Sequence, residues 1–131
     1  MKAVGIGAIV LWTSRLNEMV AFYKAIGLPL EEEDHGEGPL HFACELGATH
    51  FAIFEAKQGD AVSRGTGGCT MIGLQVSNVD EAYAIAKSLG AATVWEPRDM
   101  PWGRAAQVLD PDGRPVELNP APSRDRPSPN F

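Results

Sequence analysis

An internal repeat constrains the fold of this chain more than any other feature, because its second half resembles its first at an offset of 63 residues, from Gly27 to Gly90. Two segments with helical spacing of apolar residues, TSRLNEMVAFYKAIGL and SNVDEAYAIAKSLGA, align at this offset. The offset places Glu18 on Glu81, Ala21 on Ala84 and Lys24 on Lys87, and it aligns the preceding apolar strands as well. We interpret the chain as two copies of one module.

Both predicted helices have a defined start, an apolar stripe and a defined end. Ser14 is the expected N-cap of the first helix, and Asn78 with Glu81 has capping-box spacing in the second. Gly27 and Gly90 are placed to end them. The stripes consist of Leu16, Met19, Val20, Tyr23 and Ile26 in the first helix, and of Val79, Ala82, Tyr83, Ala86 and Leu89 in the second.

One predicted strand precedes each helix and three follow it. After the first helix come LPLEEE, LHFACEL and THFAIFEA, and after the second come ATVWE, RAAQVLD and RPVELNP. The segment 110–113, DPDG, suits a type I turn. The fold class is therefore α+β, with two tandem βαβββ modules that form a curved mixed sheet with a ligand cleft and carry the helices on the outer face. We expect the modules at 1–57 and 70–119, a glycine-rich linker at 58–69 and a proline-rich tail at 120–131.

Composition narrows the function classes. The 131 residues suffice for one domain with its own core. A net charge of −6 without clustered Lys or Arg argues against nucleic acid as a partner, and no apolar run has the roughly 20 residues that cross a bilayer. The two cysteines, Cys44 and Cys69, match no zinc or redox spacing, which indicates reduced thiols in a cytoplasmic protein.

Alternation along the strands predicts which side chains face the ligand. Helix-facing residues are expected at Ile9, Leu11, Ile72, Leu74, Val116 and Leu118; the open face would then hold Ala8, Val10, Trp12, Met71, Gly73, Gln75, Glu117 and Asn119. Glu117 would thus be a cleft carboxylate within an otherwise apolar strand. Glu55, its counterpart near the end of the first module, is expected to face the cleft as well.

The paired modules, the helix ending FYKAIGL, the MPWG segment and the closing DPDGRPVEL together resemble the vicinal oxygen chelate superfamily over residues 4 to 119. This superfamily includes glyoxalase I, extradiol dioxygenases, fosfomycin-resistance enzymes and bleomycin-resistance proteins. The resemblance implies a homodimer and, in the enzymes, a divalent metal held by four equivalent strand positions. Those positions would be Ala8, Glu55, Met71 and Glu117. Alanine has no donor atom and a thioether is a poor ligand for such metals, so the inherited metal site is expected to be lost.

Two interpretations follow. The first is a small-molecule-binding protein of the bleomycin-resistance type that sequesters an aromatic or cationic compound without a cofactor. Its expected contacts are Glu117, Trp102, Trp12, Met71, Glu55, Gln75 and Ala8, with Gln107 as a further polar contact. The second is a lyase, isomerase or dioxygenase whose divalent metal is held by Glu117, Glu55 and His41 or His50; His35 lies in an acidic loop and is expected to be solvated. A third interpretation is a metal-free enzyme that uses Glu117 as its base, so the sequence leaves open whether the chain is an enzyme.

Overall fold

A computed structural model of the chain describes residues 1–33, 38–56 and 70–122. The first module consists of β1 (Ala8–Thr13), α1 (Leu16–Ala25), β2 (Glu31–Glu33), β3 (His41–Leu46) and β4 (Thr49–Glu55). The second consists of β5 (Ile72–Val76), α2 (Val79–Ser88), β6 (Thr93–Met100), β7 (Gly103–Leu109) and β8 (Pro115–Pro120). This order confirms the predicted βαβββ repeat. The predicted linker, His35, Cys69 and most of the predicted tail lie outside the described residues.

The two modules form two four-stranded mixed sheets with the same strand order, β1-β4-β3-β2 and β5-β8-β7-β6. β1 runs parallel to β4 and β5 parallel to β8, whereas the remaining pairs are antiparallel. Each helix connects the first strand of its module to the rest of the sheet and packs on one face of it. The matching topology agrees with an internal duplication. No helix within the described ranges is long and apolar enough to cross a membrane.

Both helices end in the same way, as their glycines predict. Gly27 and Gly90 have φ values of 115° and 86°, in the region that favours glycine. In each case the glycine amide donates to the carbonyl three residues earlier, and the next amide donates to the carbonyl five residues earlier. This bond pair satisfies carbonyls that the last helical turn leaves without partners.

The helix starts differ from each other. The amide of Glu81 donates to Asn78 Oδ1 at 2.9 Å, so Asn78 caps α2 as predicted. In α1 the N-cap position is Arg15 and carries no side-chain cap, so the prediction for Ser14 is wrong. The hydroxyl of Thr13, buried at the end of β1, accepts from the Arg15 amide at 3.0 Å instead.

A single buried cluster joins both helices to the inner faces of both sheets. The predicted stripe of α1 is buried along its whole length, together with Phe22. In α2 the stripe is buried at Val79, Ala82 and Ala86, but Leu89 is 52% exposed, contrary to the prediction. Leu89 lies at the C-cap, where the helix has already ended at Ser88 and no longer faces the sheet.

Asp110 connects the two modules through a buried hydrogen-bond centre. Its Oδ2 accepts from the hydroxyl of Tyr23 in α1 at 2.7 Å and from Arg114 Nη1 at 2.8 Å. Its Oδ1 accepts from the backbone amides of Asp112 and Arg114 at 2.9 and 3.0 Å. The turn also closes as predicted, since the Gly113 amide donates to the Asp110 carbonyl and Gly113 has a φ of 85°. The turn before β8 is thereby held against the helix of the other module.

Removing one donor from this centre should destabilise the protein. In Tyr23→Phe the hydrogen bond to a buried carboxylate is lost, and we expect the free energy of unfolding in urea to fall by about 1.5–3 kcal/mol. Tyr83→Phe is the matched control, because the Tyr83 hydroxyl forms its hydrogen bond with the neutral hydroxyl of Thr93, at 2.9 Å. That variant should lose about 0.5–1.5 kcal/mol. Equal losses in the two variants would contradict the connecting role of Asp110.

The same tyrosine should make stability fall at alkaline pH. Burial, together with the Asp110 carboxylate, raises the pKa of Tyr23 well above its ordinary value of 10.0. The unfolded chain therefore loses this proton near pH 10 while the folded chain retains it, so unfolding becomes more favourable as the pH rises above about 10. Urea unfolding between pH 9 and 11 should show this slope in the parent protein and a shallower one in Tyr23→Phe. Identical slopes in the two proteins would show that Tyr23 does not contribute to the pH dependence of the free energy of unfolding.

Candidate functional site

Glu117 lies on the face of the second sheet that carries no helix. Its strand neighbours Val116 and Leu118 belong to the buried core, so the Glu117 side chain points the other way. Strand register places Gly73, Glu117 and Gln107 side by side across β5, β8 and β7. A glycine next to Glu117 leaves space over one flank of the carboxylate. Sequence alternation predicts the same face for Glu117 as the structure shows.

A chain of neutral polar side chains holds Glu117. Asn119 Nδ2 donates to one carboxylate oxygen at 3.3 Å, and Gln107 Nε2 donates to the other at 3.4 Å. Trp102 Nε1 in turn donates to Asn119 Oδ1 at 2.9 Å. Gln107 Nε2 also contacts the sulfur of Met71 at 3.3 Å. We call Glu117, Asn119, Gln107, Trp102 and Met71 the Glu117 cluster.

Glu117 is only 4% exposed, and within the described part of the chain it forms no ion pair with Lys, Arg or His. Its two hydrogen bonds come from amides and lie at the long end of the usual range. Removing a charge from water is costly unless an opposite charge or strong hydrogen bonds replace the hydration. The carboxylate is oriented by its neighbours but is not neutralised by them.

The open face of the first sheet carries a row of aromatic and ionisable side chains. Trp12, Phe54, His41 and Glu33 lie in register across β1, β4, β3 and β2. The imidazole of His41 stacks on Phe54 with ring centroids 4.2 Å apart, and its Nε2 lies 3.1 Å from Glu33 Oε2. Trp12 lies at the β1 end of this row, with its ring centroid 5.9 Å from that of Phe54, and its side chain is 51% exposed.

A cavity of about 710 Å³ lies between β1 and β5. Trp12, Met71 and Gly73 are among its lining residues. Through Met71 the cavity adjoins the Glu117 cluster, and its volume is in the range of small-molecule sites. A second cavity of about 680 Å³ lies next to the helices, and Gln75 lines this second cavity. We assign the functional site to the region around Glu117 beside the first cavity, because Met71 of the Glu117 cluster and Gly73, the strand neighbour of Glu117, line that cavity.

The structure brings most of the residues expected at the site to one region. Glu117, Trp102, Met71 and Gln107 form hydrogen bonds with one another directly or through Asn119, and Trp12 shares the cavity with Met71. Gln75 is exposed and lies in register with Asn119. Ala8 is exposed at the start of β1, in register with His50.

Glu55 lies on the helix side of its sheet rather than on the open face expected from the sequence. It is in register with the buried Thr13 and alternates with Phe51 and Ile53, both of which belong to the core. The residue equivalent to Glu117 is Ala52. Glu117 is in register with Gly73, and the repeat partner of Gly73, Val10, is in register with Ala52. The sequence comparison placed the counterpart three residues too late. The segment between the first and last strands is two residues shorter in the first module, and the alignment of Glu55 with Glu117 added a slip of one residue.

The residues at the four family metal positions do not fit a divalent ion. With Ala52 in the second position, they are two alanines, a methionine and Glu117. The alternative set is not brought together either, since Glu55 faces a helix and Glu117 belongs to the other sheet. His41 and His50 share a face, but they lie about four residues apart along β4, roughly 13 Å. The described residues contain no cluster of three His, Cys, Asp or Glu side chains that could hold a metal.

Two residues on this face were not expected from the sequence. Trp95 is in register with Gln107, and Arg98 lies with its guanidinium carbon 4.1 Å from the centre of the Trp95 ring. Simple alternation misplaces them because β6 contains two irregularities in its pairing with β7. The one available signal was Pro97, since proline inside a strand indicates an edge or a bulge.

Placing a second acid beside Glu117 tests the geometry of the cluster. In Asn119→Asp an amide donor is replaced by a carboxylate, and repulsion between the two acids should raise a pKa in the folded state. We expect a loss of about 1–3 kcal/mol in the free energy of unfolding at pH 7. The loss should shrink as the pH falls toward about 4, where unfolded carboxyls also take up protons.

The matched control for this prediction is Asn78→Asp, the same substitution at the cap of α2. Aspartate and asparagine cap helices equally well, so this variant should keep its stability at pH 7. A pH-independent loss in Asn119→Asp, or a loss no larger than in the control, would contradict the contact between Asn119 and Glu117. Urea unfolding at pH 4 and pH 7 measures the free energy of unfolding of both variants.

Comparisons with known proteins place this architecture in a family. A family model described as the Glyoxalase/Bleomycin resistance protein/Dioxygenase superfamily matches residues 5–118. A hypothetical protein from S. aureus has a similar structure, with a TM-score of 0.72 and 21% identity, over 92% of this chain and 96% of that one. No curated protein sequence matches the chain.

Two further similar structures belong to proteins of stated function. TnmS3, an antibiotic binding protein from Streptomyces sp. CB03234, gives a TM-score of 0.65 and 23% identity over 93% of this chain and 99% of that one. The fosfomycin resistance protein FosX from Listeria monocytogenes, in complex with Mn(II), gives 0.63 and 22% over 92% and 93%. These likenesses show a common fold. On the evidence of its repeated modules, its sheet order and the family match, the chain belongs to the Glyoxalase/Bleomycin resistance protein/Dioxygenase superfamily.

Proposed function

We propose that this protein binds a cationic, partly aromatic small molecule at Glu117, on the open face of the second sheet beside the cavity between β1 and β5, and sequesters it without a metal. The observation that carries the proposal is the buried Glu117 carboxylate, which among the described residues accepts hydrogen bonds from neutral amide groups only. A ligand ammonium or amidinium group would supply the missing positive charge. Such a charge-assisted hydrogen bond is among the stronger polar contacts in proteins.

The side chains that contact the Glu117 carboxylate can be displaced by a ligand. The amide contacts of Glu117 are long, and Met71, which contacts Gln107, is 40% exposed and has a flexible side chain. An entering cation can take over the carboxylate oxygens at little cost in lost protein hydrogen bonds. Gln107 and Asn119 then remain as neutral partners for other polar atoms of the ligand.

Tryptophan side chains supply the apolar part of the proposed site. Trp12 is half exposed at the cavity, and Trp102 is fixed next to Glu117 by its hydrogen bond to Asn119. Indole rings bury a large area and attract cations over their faces. The combination of a carboxylate with two indoles therefore favours a ligand that is both cationic and aromatic.

Loss of the family metal site is the second part of the proposal. The four equivalent strand positions supply one carboxylate, and a catalytic metal generally needs about three good protein ligands. Sequestration of an organic compound does not require an ion, and the similar fold of an antibiotic binding protein is compatible with that role. The net charge of −6 would also favour the approach of a cationic ligand. The homodimer remains a prediction from the resemblance, and the cytoplasmic location remains a prediction from the cysteine spacing.

The substitution Glu117→Gln tests the proposed function directly. Calorimetric titration with a panel of cationic aromatic and glycopeptide antibiotics should detect binding at micromolar or lower Kd, unchanged by a chelator. Glu117→Gln should weaken that binding by about 10- to 100-fold, because a charged hydrogen bond worth about 1.5–3 kcal/mol is lost.

Glu55→Gln is the matched control, since it makes the same change on the helix side of the first sheet. It should leave the Kd unchanged. Equal effects of the two substitutions would argue against Glu117 as the binding group. A stoichiometric metal in protein purified without a histidine tag, with binding abolished by the chelator, would replace this proposal with a metal-dependent one.

A further inference from the structure

The pairing of β6 with β7 contains two irregularities, which decide which side chains of β6 reach the open face of the second sheet. Thr93 pairs with Val108 and Trp95 with Gln107, so two steps on β6 correspond to one on β7. Arg98 then pairs with Ala105, so three steps correspond to two. Each irregularity has the residue count of a β-bulge, a feature that re-aims side chains and is common next to functional sites.

The bulges place Trp95 and Arg98 on the same side as Glu117. Thr93 faces α2, since its hydroxyl contacts Tyr83. Asp99 also lies on the helix side, where it pairs with Arg104, a residue that binds Asp80 of α2. Without bulges, Trp95 would share the face of Thr93, and Arg98 would lie opposite Trp95. Both residues instead face away from α2.

The guanidinium group of Arg98 stacks on the Trp95 ring. Its guanidinium carbon lies 4.1 Å from the centre of the Trp95 ring, and the side chain is exposed. Within the described residues no carboxylate lies within ion-pair distance of it. Stacking on an indole fixes the plane of a guanidinium and leaves its N–H groups available for a bidentate anion.

The distance between the two charges follows from the strand order. Trp95, Gln107 and Glu117 occupy one row across three adjacent strands. Two strand spacings separate the ends of this row by about 10 Å. The Arg98 guanidinium stacks on Trp95 at one end of this row, and Glu117 lies at the other end. A cation without an acidic partner among the described residues and an uncompensated carboxylate thus lie on one face, at about the separation of the two ends of a small molecule, with the amide of Gln107 between them.

The geometry points to a second, anion-binding position at Arg98 and Trp95, so that the ligand is a zwitterion whose cationic group binds Glu117 and whose carboxylate binds Arg98. This inference rests on the proposed function of Glu117 and extends it to the opposite end of the ligand. Together, Glu117 and Arg98 select ligands that carry both charges and that have the right distance between them. A compound with only one of the charges, or with both on adjacent atoms, satisfies one position and leaves the other without a partner.

Three matched probes test the inference by calorimetry: 3-[4-(aminomethyl)phenyl]propanoate, its methyl amide and its N-acetyl derivative. The first carries both charges at opposite ends of a phenyl spacer, the second only the cation and the third only the carboxylate. The parent protein should bind the zwitterion about tenfold or more tightly than either blocked probe. Arg98→Gln should remove this advantage over the methyl amide, while the affinity for the methyl amide stays unchanged.

Arg104→Gln is the matched control, because it removes an arginine from the helix side of the same sheet and should leave all three affinities unchanged. Binding of the methyl amide that depends on Glu117, with no gain from the carboxylate, would overturn the anion position and leave the proposed function standing. Binding of the N-acetyl probe that depends on Arg98, without any effect of Glu117→Gln, would overturn the cation position and with it the zwitterion. Failure of all three probes to bind at millimolar concentration would overturn both.

Discussion

Four hydrogen bonds converge on the carboxylate of Asp110, and the relative placement of the two modules depends on them. Two of the donors belong to the turn itself, one is the side chain of Arg114, and one is the hydroxyl of Tyr23 from the other module. Because Asp110 and Tyr23 are both buried, water cannot replace a lost partner without opening the core. β8 begins directly after this turn, so the position of Glu117 is set by the same contacts that join the modules.

The two helices cover one face of each sheet, and this leaves the polar side chains of the second sheet on the opposite face. Each helix covers one face of its sheet and packs against the apolar residues on that face, including Val116 and Leu118. The remaining residues alternate onto the uncovered faces, where the second sheet gathers Glu117, Asn119 and Gln107. A carboxylate in this position is costly in the absence of a cation. That cost is the physical basis for proposing a cationic ligand, whose binding would relieve it.

The superfamily fold supplies equivalent positions whose residues can change independently of the scaffold. Here the positions of Ala8, Ala52 and Met71 carry no oxygen or nitrogen donor on their side chains, while the strands around them keep their register. The proposed site therefore replaces coordination with charge complementarity and aromatic area. In the proposed arrangement, Arg98 and Trp95 extend the site away from the family metal positions, toward the outer strand of the second sheet.

The sequence alone determined the repeat, the order of the elements, the helix ends at glycine and the face of Glu117. These depend on local periodicity and on backbone preferences of single residues, which need no distant partner. The tertiary structure alone decided the features that depend on register between strands. Glu55 proved to face a helix, Ala52 proved to be the counterpart of Glu117, and bulges brought Trp95 and Arg98 to the open face. A shift of one residue in pairing reverses the face of a side chain, and strand periodicity contains no information on where a partner strand slips. The contact of Tyr23 with Asp110, far apart in the chain, was likewise set only when both modules packed around one core.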